Sequence, residues 1–290
     1  MPQQIITVFG ATGKQGGSVV ASILGDAVAS AKFSVRAVTR DTAKDSSKAL
    51  AAKGVEVVSA DMNDKESLRK AIKGSYGVFL VTNFWEVFKP ETEIAQGKNV
   101  ADMCKHFDSK ATVEEYVREL GIPATFFMAG FYMSNIPGEM MRRSPEGKWT
   151  LALPVPDDTP IPLFPAECDT GKFVKAIFLK RDTLLGKRVY GATAYTTPLE
   201  IVDGFKKMYP VTGKNAEYKR LSDQDYKDLL GTQGTPEPFQ EELLQNMKLL
   251  YMFGYYGGDS LDFSTSVSRR RATHDVGGVY QGHTAFADAL

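Results

Sequence analysis

Apolar and polar positions alternate between two periods over the first 130 residues. Ile5, Ile6, Val8 and Phe9 make a nearly unbroken apolar run that stops at Gly10. Such a run predicts a strand buried on both faces. Small apolar residues over 16–24 predict a closely packing helix. Runs at 33–38, 55–58 and 76–81 predict three further strands, with helices over 44–52 and around Leu68, Ala71 and Ile72 between them. Short strands separated by helices predict an α/β fold, a doubly wound parallel sheet covered on both faces.

The rhythm then breaks. From Pro90 the pattern is helical through Ile94, Val100, Ala101 and Met103. A second helical pattern follows almost at once, carrying Ala111, Val113, Tyr116, Val117 and Leu120 and ending at Gly121. The next strand is expected only at 122–128. Parallel connectivity calls for a strand between two such helices, and one helix of about thirty residues is out of scale for this kind of domain. The pattern therefore predicts either an unusual helical hairpin or an absent segment.

Beyond Gly130 prolines and loops become frequent, at Pro154, Pro156, Pro160, Pro162 and Pro165. Helices are expected over 169–179, 199–209, 222–230 (capped by Ser222) and 239–253, with strands at 187–190 and 215–221. Residues 264–290 hold no sustained period and include Arg269, Arg270 and Arg271, which predicts a poorly ordered tail. The expected partition is a nucleotide-binding domain over 1–150, a smaller α/β domain over 151–262 whose strands can return to the first, and a tail over 263–290.

Composition narrows the class. The 290 residues carry 35 Lys+Arg and 35 Asp+Glu, a net charge of 0, which argues against a generally basic nucleic-acid binder. Two cysteines, Cys104 and Cys168, are too few for a disulfide framework and fit a reducing compartment. His106, His274 and His283 are isolated in sequence, so no metal cluster is expected. With no basic leader and no long apolar run, the expectation is a soluble cytoplasmic protein that binds neither membrane nor nucleic acid directly.

The strongest chemical signal lies where the first strand meets the first helix: Gly10, Ala11, Thr12, Gly13, Lys14, Gln15 and Gly16. Glycines spaced GxxGxxG in that context allow a tight turn, close approach of backbone amides to a diphosphate, and close helix–strand packing. No Gly-Lys-Ser/Thr follows, so this is not a phosphate-hydrolysing P-loop. Arg40 stands at the end of the second strand, where an acid would select NAD. A cation there favours the 2′-phosphate of NADP, with Thr39 and Lys44 as added contacts; NAD is the alternative, and a plain surface arginine the blander reading. Asp61 and Met62 follow the third strand and can meet adenine, or serve only to start the helix near Asp64. Thr82, Asn83 and Phe84 end the fourth strand on the same side.

These glycines with Arg40, together with His106-Phe107-Asp108-Ser109-Lys110, the stretch Gly130 to Asn135 and Tyr255-Tyr256-Gly257-Gly258, resemble the NmrA-like family, atypical short-chain dehydrogenases/reductases common in fungi. The resemblance covers roughly residues 4–262. It implies a Rossmann-like domain with a smaller domain folding over an NADP cofactor. It also implies that Lys110 and His106, at the i,i+4 spacing of the usual Tyr-x-x-x-Lys, form the catalytic pair, with Lys110 also holding the cofactor. Phe131, Tyr132 and Asn135 are the expected substrate contacts. In the family a fifth strand separates the helix ending at Lys105 from His106; here the two adjoin, so an internal deletion is expected at that junction, and the tail is atypical.

Two functions follow. One is an NADP(H)-dependent oxidoreductase acting on a small organic metabolite, with its activity in question because His106 replaces the tyrosine and a strand is lacking. The alternative is a dinucleotide-sensing regulator without turnover, cytoplasmic and also nuclear, that binds a transcription factor or another regulatory protein partner, as a member of the family does. The 239–253 helix and its tyrosines offer a surface for that partner, unless they simply pack.

Overall fold

The computed structural model describes residues 2–82, 90–103, 111–136, 140–144, 147–192 and 194–268. The chain forms two compact units, Met1–Met128 with Ala166–Val189, and Ala129–Pro165 with Tyr190–Leu290. The expected boundary at 150 does not coincide with either one, because the chain crosses between the units three times.

The first unit begins with β1 (Gln4–Phe9), α1 (Lys14–Leu24), α2 (Ala27–Lys32), β2 (Phe33–Thr39), α3 (Asp45–Ala51), β3 (Glu56–Ser59), α4 (Lys65–Ile72) and β4 (Gly77–Phe79). Next come α5 (Pro90–Met103), α6 (Ala111–Glu119) and β5 (Phe126–Ala129). The second unit then contributes β6 (Phe131–Tyr132), a 3-10 turn (Met133–Asn135), β7 (Met141–Arg143), β8 (Trp149–Leu153) and β9 (Leu163–Phe164). The chain returns as α7 (Ala166–Leu179), α8 (Arg181–Leu184) and β10 (Arg188–Gly191). It continues in the second unit with α9 (Pro198–Met208), β11 (Glu217–Arg220), α10 (Asp223–Thr232), α11 (Glu237–Phe253) and α12 (Asp262–Ser268).

Strands β3-β2-β1-β4 form a parallel sheet in that order, with Val8 opposite both Ala37 and Phe79. One face packs Ile6, Val8, Val19, Ile23 and Phe33 with Val174 of α7, and the other packs Phe9, Val38, Leu68 and Val100. This two-faced burial is the doubly wound arrangement expected from the apolar runs. The Lys105–His106 junction, where the irregularity is expected, lies outside the described residues. Among the described residues the sheet ends at β4, and β5 pairs with β10 in a separate two-stranded ladder. Among the described residues no strand lies between α5 and α6.

Helices α1 and α7 meet closely. A Cβ on Gly171 would fall 1.9 Å from the Ser18 carbonyl oxygen, and the Ser18 hydroxyl accepts from the Gly171 amide at 2.9 Å. Lys175 of α7 reaches Asp26 at 2.6 Å, and that bond holds the Asp26 carboxyl below its ordinary range while it caps α2. Glu114 of α6 is buried and accepts from Arg118 at 2.7 Å and from Arg188 at 3.1 Å, which ties α6 to β10.

In the second unit β7 pairs antiparallel with β8, β8 parallel with β11, and β6 parallel with β9. Trp149, Leu151, Phe205, Leu244 and Leu250 lie in one core with Phe131. The proline-rich stretch expected to be loops thus holds four strands. Two are only two residues long and one is three, too short to show alternation between prolines. Ser222 caps α10 as expected, accepting from the Asp225 amide at 3.1 Å. Helix α12 occupies the start of the expected tail, and residues 269–290 lie outside the described ones.

Candidate nucleotide site

The turn after β1 is built by backbone geometry. Gly10 has φ 62, a left-handed conformation costly for a side chain, and a Cβ there would also sit 2.9 Å from a Val81 methyl. The Gly13 amide donates to the Gly10 carbonyl at 2.9 Å and closes the turn. At Gly16 a Cβ would lie 2.2 Å from the Gly10 carbonyl oxygen, so only glycine lets α1 start this close beneath the strand. Gly13 caps α1 with no side-chain bond, and no acid stands in the first turn. The helix dipole and first-turn amides therefore favour an anion here. Ala11 is buried; Thr12, Gly13 and Lys14 are exposed and Gln15 is half-buried. Lys14 pairs with Glu167 at 2.8 Å. Amides at a bare helix start behind a tight glycine turn are the chemistry that a dinucleotide's diphosphate requires.

Because the strands are parallel, their C-terminal ends gather the other expected contacts at the same end of the sheet. At the end of β2, Thr39 is half-buried and Arg40 exposed, and the Arg40 carbonyl accepts from the Ser59 hydroxyl at 3.2 Å. Lys44, also exposed, precedes α3. Sequence reasoning passed over Asp41, whose carboxylate accepts from the Ala43 amide at 2.8 Å and so fixes the loop that presents Arg40. Asp61 accepts from the amide and side chain of Asn63 at 2.8 and 2.9 Å, which is a turn-forming role, while Asp64 caps α4. Met62 is half-buried, and its carbonyl accepts from Asn99 at 3.1 Å. Thr82 is buried and hydrogen-bonded to Glu93. Asn83, Phe84, His106 and Lys110 lie outside the described residues.

In the second unit Phe131 is a core residue rather than a surface contact, whereas Tyr132 and Asn135 are half-buried, with Tyr132 tilted against Phe164. A tyrosine group went unrecognised beyond the Tyr255-Tyr256 pair. The Tyr190 and Tyr256 rings stack at 4.2 Å, the Tyr190 hydroxyl donates to the Asp259 carboxylate, and the Tyr195 hydroxyl donates to the Asp259 carbonyl at 2.9 Å. Burial raises the Tyr256 phenol, so it stays protonated. Tyr190 and Tyr195 are far from Asp259 in sequence, so nothing local announces the cluster. Among the described residues no group of three or more His, Cys, Asp or Glu is placed to hold a metal, and no helix is long and apolar enough to cross a membrane.

The profile of the NmrA-like family matches this chain in two pieces, residues 2–106 and 103–276. The chain belongs to the NmrA-like family. The two pieces overlap at 103–106, between α5 and α6. This NmrA-like chain is 29% identical to the NmrA-like family domain-containing oxidoreductase malD of Malbranchea aurantiaca, over 99% of this chain and 95% of that protein. The alignment runs for 330 positions on a 290-residue chain, so some forty of them find no residue here. It is 31% identical to notA' of Aspergillus versicolor, another oxidoreductase of the family by name, over 72% of this chain and 70% of that one. Among solved structures, NmrA, a negative transcriptional regulator in complex with NADP, matches at TM-score 0.68 and 21% identity, covering 100% of this chain and 95% of that one. An NADPH-dependent quinone oxidoreductase from Escherichia coli matches at TM-score 0.73 and 20% identity, covering 94% and 98%. At these identities the two structures establish the fold.

Proposed function

We propose that this chain binds NADP(H) at the Gly10–Gly16 turn and acts as a dinucleotide-responsive regulator that engages a protein partner, without turnover. The observation that carries the reading is the contrast between a closed glycine turn and a sheet that, among the described residues, ends at β4. The turn itself draws on β1 and α1, with the ends of β2 and β3 beside it. The cofactor's diphosphate would rest on the amides from Ala11 to Gly16, and Arg40 with Lys44 would take the 2′-phosphate. When bound, the cofactor supplies a hydride-carrying nicotinamide. A reductase would also have to fix that ring and a proton donor, and those duties fall on His106 and Lys110, next to the break. Histidine is a poorer match than tyrosine for the family's usual pair.

A second reading, an oxidoreductase on a small organic metabolite, draws on the names of the relatives, which are called oxidoreductases over most of this chain's length. Titration with NADPH and NADH, followed by protein fluorescence, separates the readings when paired with NADPH consumption across a panel of carbonyl compounds. The expected outcome is saturable binding at least tenfold tighter for NADPH than NADH, reduced toward parity by Arg40→Ala, and no consumption. Turnover abolished by Lys110→Ala would replace the regulatory reading with the oxidoreductase. Absence of dinucleotide binding would overturn both.

A further inference from the structure

Lys14 opens α1, one position past the Gly13 cap. The Cα–Cβ bonds of a helix tilt toward its N-terminus, so the stem of Lys14 leans toward the glycine turn. Its ammonium ends 2.8 Å from the Glu167 carboxylate of α7. Contacts between these helices step along both in the same direction: Lys14 with Glu167, Ser18 with Gly171, and Asp26, just past α1, with Lys175. The helices therefore run parallel and begin side by side. Their first turns differ in charge. That of α1 holds no acid and no side-chain cap, whereas that of α7 holds Glu167 and Asp169. Asp169 is buried and pairs with Lys172 of its own helix at 2.7 Å. Glu167 reaches across to the helix that carries the turn.

We propose that Glu167 competes with the dinucleotide's diphosphate for Lys14, and so sets how tightly the turn binds. The proposal rests on the reading of that turn as a dinucleotide site. A diphosphate seated on the amides of 11–16 brings negative charge within reach of a flexible lysine stem rooted beside Gly13. The pair it must displace is weak: the Lys14 and Glu167 side chains are 62% and 56% exposed, and ion pairs so open to water contribute little. Once Lys14 turns to the phosphate, Glu167 is left as an unpaired negative charge near the incoming anion, which opposes binding further. The pair is not needed to dock the helices. The Gly171 amide on the Ser18 hydroxyl and Lys175 on Asp26 already hold α7 against α1.

The test titrates NADPH and NADH into the full-length chain and into Glu167→Gln, Lys14→Ala and the double variant, followed by protein fluorescence. Glu167→Gln keeps the shape of the side chain and removes its charge. It should tighten both dinucleotides alike, by about two- to fivefold, the range that an exposed ion pair allows. Lys14→Ala should weaken both. In that background Glu167→Gln should gain less than it does alone, because only the repulsion remains to be relieved. The affinity of Glu167→Gln should also fall more steeply with added salt than that of the parent chain, since its Lys14 has no internal rival for the phosphate. Its urea midpoint should not move. Dinucleotide binding that is unchanged or weakened by Glu167→Gln would overturn the competition and leave the dinucleotide site standing. So would an equal gain with and without Lys14. A gain confined to NADPH would overturn the assignment to the diphosphate. Absence of binding by the parent chain and every variant would overturn the dinucleotide reading and this inference with it.

Discussion

Gly16 and Glu114 illustrate how single residues hold the first unit, by opposite means. Gly16 works by having no side chain: an added methyl must displace the Gly10 carbonyl, which is itself held by the Gly13 amide. Gly16→Ala is expected to cost about 1–3 kcal/mol, the usual range for overpacking. It should also weaken NADPH binding by more than its effect on stability, since the turn moves with it. Urea unfolding and a nucleotide titration on the same variant check both. Glu114 works by charge, buried between two arginines whose side chains are 45% and 54% exposed. Removing the carboxylate by Glu114→Ala frees two guanidinium groups that still reach water, so the loss should stay near about 1–2 kcal/mol. Removing both partners, Arg118→Ala with Arg188→Ala, strands a buried carboxylate and should cost more than the Glu114 change. Urea midpoints of the two variants in the reverse order would contradict this account.

At the scale of elements, β1 was legible because burial on both faces writes it as a nearly unbroken apolar run, and β2 to β4 from short apolar stretches set between helical ones. Ile6, Val8 and Val35 carry that signal directly. The sequence also predicts a break after β4, as a strand missing from an otherwise regular alternation, and among the described residues none follows β4 before β5. Strands β6, β7 and β9 were not, since two or three residues have no period and their pairing partners lie elsewhere in the chain. The glycine turn was readable from spacing, whereas Asp61 could not be told apart as ligand or turn former without the Asn63 contacts. Tyr218 of β11 supports an element-level prediction. Burial pushes its phenol up to about 12, and its hydroxyl donates to the Val155 carbonyl at 2.5 Å. In the unfolded chain a tyrosine titrates near about 10. The folded state thus holds this proton more tightly, and the stability it contributes is complete below pH 10 and lost as pH rises through about 12. The loss should stay below about 3 kcal/mol, the full value of a two-unit shift. Tyr218→Phe should cost about 1 kcal/mol at pH 8 and flatten the alkaline decline in urea midpoints. An unchanged decline would shift the effect to the other buried tyrosines.

For the whole molecule, the order of segments matters more than their number. The first unit is closed by α7, which arrives only after the chain has built part of the second. Val174 lies in the same core as Ile6 and Phe33, and the close approach of Gly171 to Ser18 lies against the helix that carries the phosphate turn. A fragment ending at 150, the boundary the sequence suggested, keeps every glycine of the turn but lacks this covering helix. Its sheet would expose one face, and α1 would lose the partner that fixes its position against β1. Such a fragment is expected to melt without cooperativity and to bind NADPH at least tenfold more weakly than the full chain. A fragment ending at 189 contains all of the first unit, with residues 129–165 carried as an insertion. It should recover a cooperative melt and most of the NADPH affinity, although the second unit is incomplete. Calorimetry of the two fragments and the full chain decides the matter. Equal, cooperative melting of the shorter fragment would mean that α7 only decorates the sheet, and that the turn's geometry is set by β1 and α1 alone.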